Sequence, residues 1–271
     1  MDFEIQYATS ADGTRVGFER TGVGPTLVVV HGGLRSSEHY RALAQSLADR
    51  FTVVLTNRRG RALNAPEDRS AGLERELDDL YAVMSATDAE LLFGHSAGAI
   101  VSLELALRRP PRKLAVFEPP VSVRRHLDLR WTTRLNEALA AKRYPLAMAV
   151  AIQGLKMGPP LIPPALFALP LRALFRTESG PPMTRLLETL PRDLAMVSDV
   201  DPDLSRFRRL TMPVLLLAGS KSPRYLHACL DELGAAVPSA ERVELRGLGH
   251  NAPDLDDPPA VARALGDFFT A

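Results

Sequence analysis

Six short apolar runs, separated by stretches of helical spacing, constrain the architecture of this chain more than any other feature. The first, Thr26-Leu27-Val28-Val29-Val30, has no polar alternation, as a strand buried on both faces of a parallel sheet requires. Similar runs recur at Phe51 to Leu55, Glu90 to Phe93, Lys113 to Phe117, Val214 to Ala218 and Arg242 to Leu245. Between them lie helical patterns at Glu38 to Ala48, Leu73 to Ser85, Ala99 to Arg109, Pro223 to Leu233 and Pro259 to Phe269. Strands alternating with helices of this length imply right-handed crossovers and an α/β, doubly wound, mostly parallel sheet. Ligands of such sheets bind at the carboxyl ends of the strands. Upstream, Phe3, Ile5 and Tyr7 and, across Asp12-Gly13, Val16 and Phe18 alternate with period two, which predicts a hairpin. Its two strands bring the expected sheet to eight.

One stretch interrupts the alternation. Residues 121–209 contain no buried strand run, only helical stretches such as Trp131 to Ala141 and Pro145 to Gly154, punctuated by Gly158-Pro159-Pro160, Pro163-Pro164 and Gly180-Pro181-Pro182. Proline at these places is expected to stop helices and stiffen connections. The chain is therefore divided into a core, residues 1–120 and 210–271, and a helical cap, residues 121–209, inserted after the sixth strand. Leu155, Met157, Leu161, Ile162, Leu166, Phe167, Leu171, Leu174 and Phe175 suit a lid over an apolar pocket, and equally the packing of the cap itself.

Composition excludes several classes of partner. The 33 basic and 32 acidic residues leave a net charge of +1, so no field favours nucleic acid or an anionic membrane. The single cysteine, Cys229, cannot form an internal disulfide, which suits a reducing compartment, and is expected to pack within a helix. The opening MDFEIQYATS lacks the basic start and continuous apolar run of a signal peptide, and no apolar stretch approaches the roughly 20 residues that span a bilayer. A cytoplasmic location is expected. No metal-ligating or phosphate-binding pattern is present, so no cofactor or metal is implied.

The chemistry is concentrated at Gly94-His95-Ser96-Ala97-Gly98, between an apolar run and a helical one. Such a placement reads as a nucleophile elbow, in which a strained turn lifts a serine hydroxyl clear of the sheet edge. Gly94 and Gly98 supply the small neighbours needed where strand and helix backbones nearly touch. A serine hydroxyl needs a base, a group to orient that base, and donors for the oxyanion that forms. The base follows the elbow in chain order, and His250, in the glycine-flexed Arg246-Gly247-Leu248-Gly249-His250-Asn251 after the last strand run, fits it. His31 and His95 are expected to shape backbone around the site, and His39, His126 and His227 to be surface or cap residues. One oxyanion donor is the amide of Ala97; the other belongs to His31-Gly32-Gly33-Leu34, with Gly33 first and Leu34 second.

These features resemble the α/β-hydrolase fold: HGG after the strand ending at Val30, Asn57-Arg58-Arg59-Gly60 after the next, GHSAG at 94–98, PVLLLAG at 213–219 and GLGH at 247–250. The resemblance covers nearly the whole length except the cap and implies a serine hydrolase. Relatives commonly place an aspartate shortly after the PVLLLAG strand, where this chain has Ser222. Other relatives put the acid after the sixth strand, and Glu118 stands there, as triad acid or as a structural residue at a cap hinge. Asp199, Asp201 and Asp203 are the alternatives. Arg59 to Asn64 also departs from the family pattern, in loop shape only. Ser96 excludes the aspartate nucleophile that epoxide and haloalkane chemistry require in this fold. The expected function is a cofactor-independent serine hydrolase cleaving an ester, lactone or thioester of a small to medium hydrophobic substrate. The alternatives are a non-hydrolytic cyclase, lyase or ligand-binding protein with a modified triad, and a carbon-carbon bond hydrolase acting on diketones. A small hydrophobic molecule is the expected partner, and an exposed apolar cap face is compatible with a homodimer.

Overall fold

A computed structural model describes residues 2–64, 72–200, 203–237 and 239–271. Strands β1 (Glu4–Thr9), β2 (Arg15–Gly22), β3 (Thr26–Val30), β4 (Thr52–Thr56), β5 (Leu91–His95), β6 (Lys113–Phe117), β7 (Val214–Gly219) and β8 (Ala240–Leu245) form one eight-stranded sheet in the order β1-β2-β4-β3-β5-β6-β7-β8. β2 pairs antiparallel with both β1 and β4, and every other pairing is parallel. The expected fold class is therefore the observed one.

The helices are α1 (Arg41–Leu47), α2 (Leu73–Ala86), α3 (Ala97–Arg108), α4 (Val123–His126), α5 (Trp131–Ala140), α6 (Tyr144–Gly154), α7 (Pro164–Leu174), α8 (Gly180–Asp199), α9 (Arg224–Ala236) and α10 (Pro258–Thr270). Successive strand residues serve opposite faces, which explains the unbroken apolar runs. Val28, Val30, Leu92, Val116 and Leu216 pack beneath α2, α3 and α9, while Leu27, Val29, Phe93, Phe117 and Leu217 pack beneath α1 and α10. Each such side chain contributes about 1.5–3 kcal/mol on burial. Cys229, on α9, is fully buried in the first of these clusters, and burial pushes its thiol up to about 12.

Two expectations need correction. β8 is an edge strand with Glu241, Arg242 and Glu244 exposed, not a run buried on both faces, and such charges disfavour pairing of another strand at the edge. Pro163-Pro164 and Pro181-Pro182 begin α7 and α8 instead of stopping helices, because the first amides of a helix have no internal acceptor to lose. Helices α4 to α8 all lie between β6 and β7, with a small core of their own around Leu135, Val150, Leu187 and Leu190. Among the described residues no helix is long and apolar enough to cross a membrane.

The strand order reverses around β3: β4 lies on one side of it and β5 on the other. The crevice for a ligand therefore opens between the ends of β3 and β5, where Val30 pairs with Gly94. The two backbones that follow approach very closely. A Cβ on Gly98 would stand 2.4 Å from the carbonyl oxygens of Val30 and His31. Gly98→Ala is expected to lower stability by about 1–3 kcal/mol as those peptides are pushed apart, read as a fall in the urea midpoint. An unchanged midpoint would mean that the contact relaxes freely.

Candidate active site

Ser96 sits between the end of β5 and the start of α3 with φ 53 and ψ −120, a left-handed conformation rare for a side chain with a Cβ. It is held there because its amide donates to the carbonyl of Phe117 at 2.9 Å while its carbonyl accepts from the amides of Ala99 and Ile100. Strain of this sort costs about 1–3 kcal/mol and is overcome by the surrounding packing. Ala97, the first residue of α3, has its amide at the helix N-terminus, where partial positive charge collects.

Glu118 immediately follows β6. Phe117 pairs with His95 across the β5–β6 ladder, so Ser96 and Glu118 leave neighbouring strands at the same level. The Glu118 backbone is also left-handed, with φ 47, and its side chain is 1% exposed. One carboxylate oxygen accepts from the amide of Gly219 at 2.7 Å, and the other meets Nδ1 of His250 at 2.5 Å. If the carboxylate is ionised it can only accept, and this contact then places the proton on Nδ1 and leaves Nε2 its lone pair.

The loop carrying His250 is laced to the end of β7. Gly247 donates to Ser220 Oγ at 2.8 Å, and Lys221 donates to the carbonyl of Leu248 at 2.8 Å. A Cβ on Gly219 would fall 2.5 Å from the oxygen of Leu248, which explains the glycine. Ser222, where relatives commonly have the acid, is buried with its hydroxyl unpartnered. Asp199 is exposed and paired with Arg124, and Asp203 caps the turn beginning at Leu204, so neither reaches His250. Asp201 lies outside the described residues.

The loop after β3 is shaped by its histidine. The amide of Arg58 donates to His31 Nε2 at 3.1 Å, so the ring proton is on Nδ1, which donates to the carbonyl of Gly32 at 2.8 Å. In a trans peptide that carbonyl and the next amide point opposite ways, so the Gly33 amide is turned away from His31. Among the described residues, the amides of Gly33, Leu34 and Ala97 have no protein acceptor, and all three residues line the cavity that contains Ser96. Leu34 takes φ 57 to turn the chain back. Tyr40 ties this loop to the elbow: its hydroxyl accepts from the amide of Gly32 at 3.1 Å and meets His95 Nδ1 at 2.5 Å. The His95 ring in turn packs 4.8 Å from that of His250. His39 lines the same cavity with its Nδ1 bonded to Ser36, nearer the site than its sequence position suggested.

The cavity measures about 820 Å³ and holds both Ser96 and His250. Its apolar wall comes from the segment between β6 and β7, including Leu155, Met157, Leu171 and Leu174, whereas Leu161 and Leu166 face outward. Arg35, the one arginine or lysine among the described lining residues, is neutralised by an ion pair with the buried Asp254. Sequence reasoning passed over Arg58, Arg61 and Asp193. Arg58 and Arg61 are buried, and both donate to Asp193 on α8. The signal available was the arginine cluster at 58–61, three arginines in four residues just after a strand of the sheet.

His31 and His95 are both held well below the ordinary imidazole value of 6.5, chiefly by burial, then by Arg61 for the first and His250 for the second. Below that pH the unfolded chain binds protons that the folded one does not, so stability falls with falling pH. Each histidine contributes a slope of about 1.4 kcal/mol per pH unit. Melting temperature should drop between pH 6.5 and 5, and a flat profile over that interval would contradict the burial of both rings.

A serine on a strand-to-helix elbow, an amide-lined loop after β3, and a buried acid–histidine pair on an eight-stranded sheet together define the α/β-hydrolase class. Residues 27–264 match the family model described as the alpha/beta hydrolase family, and the chain belongs to that family. The crystal structure of an alpha/beta hydrolase from Sphaerobacter thermophilus DSM 20745 is similar at 33% identity and a TM-score of 0.80, over 97% of this chain and all of that one. The 2-(acetamidomethylene)succinate hydrolase of Mesorhizobium japonicum is 26% identical over 92% of this chain and 90% of its own length. The uncharacterized hydrolase YraK of Bacillus subtilis is 29% identical over 102 residues, and the chain spans 38% of that protein's length.

Proposed function

We propose that the protein is a cofactor-independent serine hydrolase cleaving an ester, lactone or thioester of a small to medium hydrophobic substrate. The observation that carries this reading is the bond between the buried Glu118 and His250 Nδ1, beside a cavity that His250 shares with Ser96. With Nδ1 so engaged, Nε2 is the nitrogen that accepts the proton of Ser96 Oγ as it attacks the acyl carbon. The oxyanion is held by the amides of Ala97 and Gly33, with Leu34 beside them. The imidazolium then returns its proton to the departing alcohol or thiol, and water attacks the acyl-enzyme by the reverse sequence. Glu118 orients the ring through its bond to Nδ1.

The cavity favours an apolar acyl or ring system in contact with the cap side chains. A dicarboxylate, of the kind named for the Mesorhizobium relative, calls for free cations, and Arg35 is already matched by Asp254. The test is labelling by a fluorophosphonate together with turnover of p-nitrophenyl esters of graded chain length. Rapid labelling and a preference for medium acyl chains support the reading. A protein that is neither labelled nor active on any ester, lactone or thioester would overturn it in favour of a non-hydrolytic role.

A further inference from the structure

Among the mostly apolar side chains that the helices between β6 and β7 bring to the cavity is one buried carboxylate. Asp193, on α8, is 2% exposed. One of its oxygens accepts from Arg58 Nη2 at 2.7 Å and the other from Arg61 Nη2 at 2.5 Å. Arg61 donates from the same nitrogen to Thr189, also on α8, at 2.9 Å. Glu76 of α2 grips Arg58 from the other side at 2.9 and 3.0 Å. The anion therefore joins α8 to two guanidiniums of the loop after β4, in a place where an uncompensated charge is costly.

Asp193 also stands against the loop after β3. A Cβ on Gly33 would lie 3.2 Å from its Oδ2, and the residue lines the cavity beside Gly33. Arg58, which Asp193 fixes by its side chain, fixes His31 by its main chain, and His31 holds the carbonyl of Gly32. The links close into a ring: carboxylate, arginine, histidine, glycine peptide, and back to the carboxylate. A structure in which α8 has lifted away loses the anion from this ring and leaves Glu76 as the carboxylate that holds Arg58.

We propose that Asp193 is a positioning residue for the oxyanion-binding loop. It seats the cap on Arg58 and Arg61 and, through Arg58 and His31, holds the Gly32–Gly33 peptide with its amide turned into the cavity. The donor set is complete only while α8 is docked, so binding under the cap and assembly of the catalytic site are one event. The catalytic consequence rests on the serine-hydrolase reading; the conformational one does not.

The test is Asp193→Asn, with Asp193→Glu as the charge-preserving control, followed by two measurements. Ester kinetics should show kcat lower by about tenfold to a hundredfold with KM within about threefold, since oxyanion contacts count mainly in the transition state. Asp193→Glu should recover part of that loss. In protein labelled with ¹⁵N-glycine, the amide signals of Gly32 and Gly33 should shift or broaden in the asparagine variant, while that of Gly219, across the site, stays in place. A raised KM with kcat and the Gly33 signal unchanged would reduce Asp193 to a cap fastener and overturn the proposal. If the wild-type protein turns over no ester, the hydrolase reading fails while the glycine signals still decide whether Asp193 orders the loop. Should Asp193→Asn not fold, Arg61→Gln removes one of the two partners, and the same signals should move by a smaller amount.

Discussion

Replacing Ser96 with alanine is expected to lower turnover of an activated ester by a factor of about 10⁴–10⁶, or about 5–8 kcal/mol of transition-state stabilisation, and to abolish fluorophosphonate labelling. The backbone reason is local. At φ 53 and ψ −120 the residue at the tip is fixed by bonds from its own amide and carbonyl, none of which involves the hydroxyl. Alanine can therefore occupy the turn with the same main-chain partners, and the loss is chemical, not structural. A melting temperature within a few degrees of wild type, with the label gone, is the expected pair of observations. Turnover surviving in the pure variant would place the nucleophile elsewhere and leave the elbow as a strained turn without a task.

The second large effect is expected at Glu118→Gln, a drop in kcat of about 10³–10⁴ with the fold retained. The amide oxygen of glutamine can go on accepting from Gly219, which preserves the loop after β7. Its nitrogen is then turned toward Nδ1 of His250 and donates where a carboxylate accepted. The imidazole is driven into the tautomer with its proton on Nε2, and so cannot take one from Ser96. Turnover should be slow at every pH, because no titration restores the missing charge. Asp199→Ala serves as the control: Asp199 is exposed and paired with Arg124 at 3.4 Å, so its loss should leave turnover as it was. The opposite pattern, an active Glu118→Gln and a crippled Asp199→Ala, would return Glu118 to a structural role at the hinge.

Much of this was legible in the residues, for identifiable reasons. The central strands announce themselves because burial on both faces removes polar residues altogether, and the elbow announces itself because two backbones in contact exclude side chains at Gly94 and Gly98. β8 was harder to read, since an edge strand keeps charges on the face it leaves open. The helices starting at Pro164 and Gly180 were concealed by prolines, some in the first turn, where they cost little, and one inside each helix, Pro170 and Pro191. Least visible was the ring of Asp193, Arg58 and His31. Its members are 135 and 27 residues apart in sequence, and an aspartate inside an amphipathic helix looks like any solvated residue until its partners are known. The triad candidates were easier because chain order and sheet topology restrict where each can stand.

The pairing of His95 with Phe117 has a further implication for how such a protein can change. Ser96 and Glu118 are each the next residue after a rung of one ladder, so the spacing between them is inherited from strand register and is indifferent to what is spliced in after β6. On the proposed reading, the segment between β6 and β7 can then be exchanged as a module, by recombination or by engineering, without changing the spacing of Ser96 and Glu118. The module is not entirely interchangeable: a transplanted segment that brings no carboxylate to the place of Asp193 would take from Arg61 its carboxylate partner and leave Arg58 to Glu76 alone. Compatibility between donor caps and this core should therefore be judged first by that one acidic position and only then by the shape of the pocket.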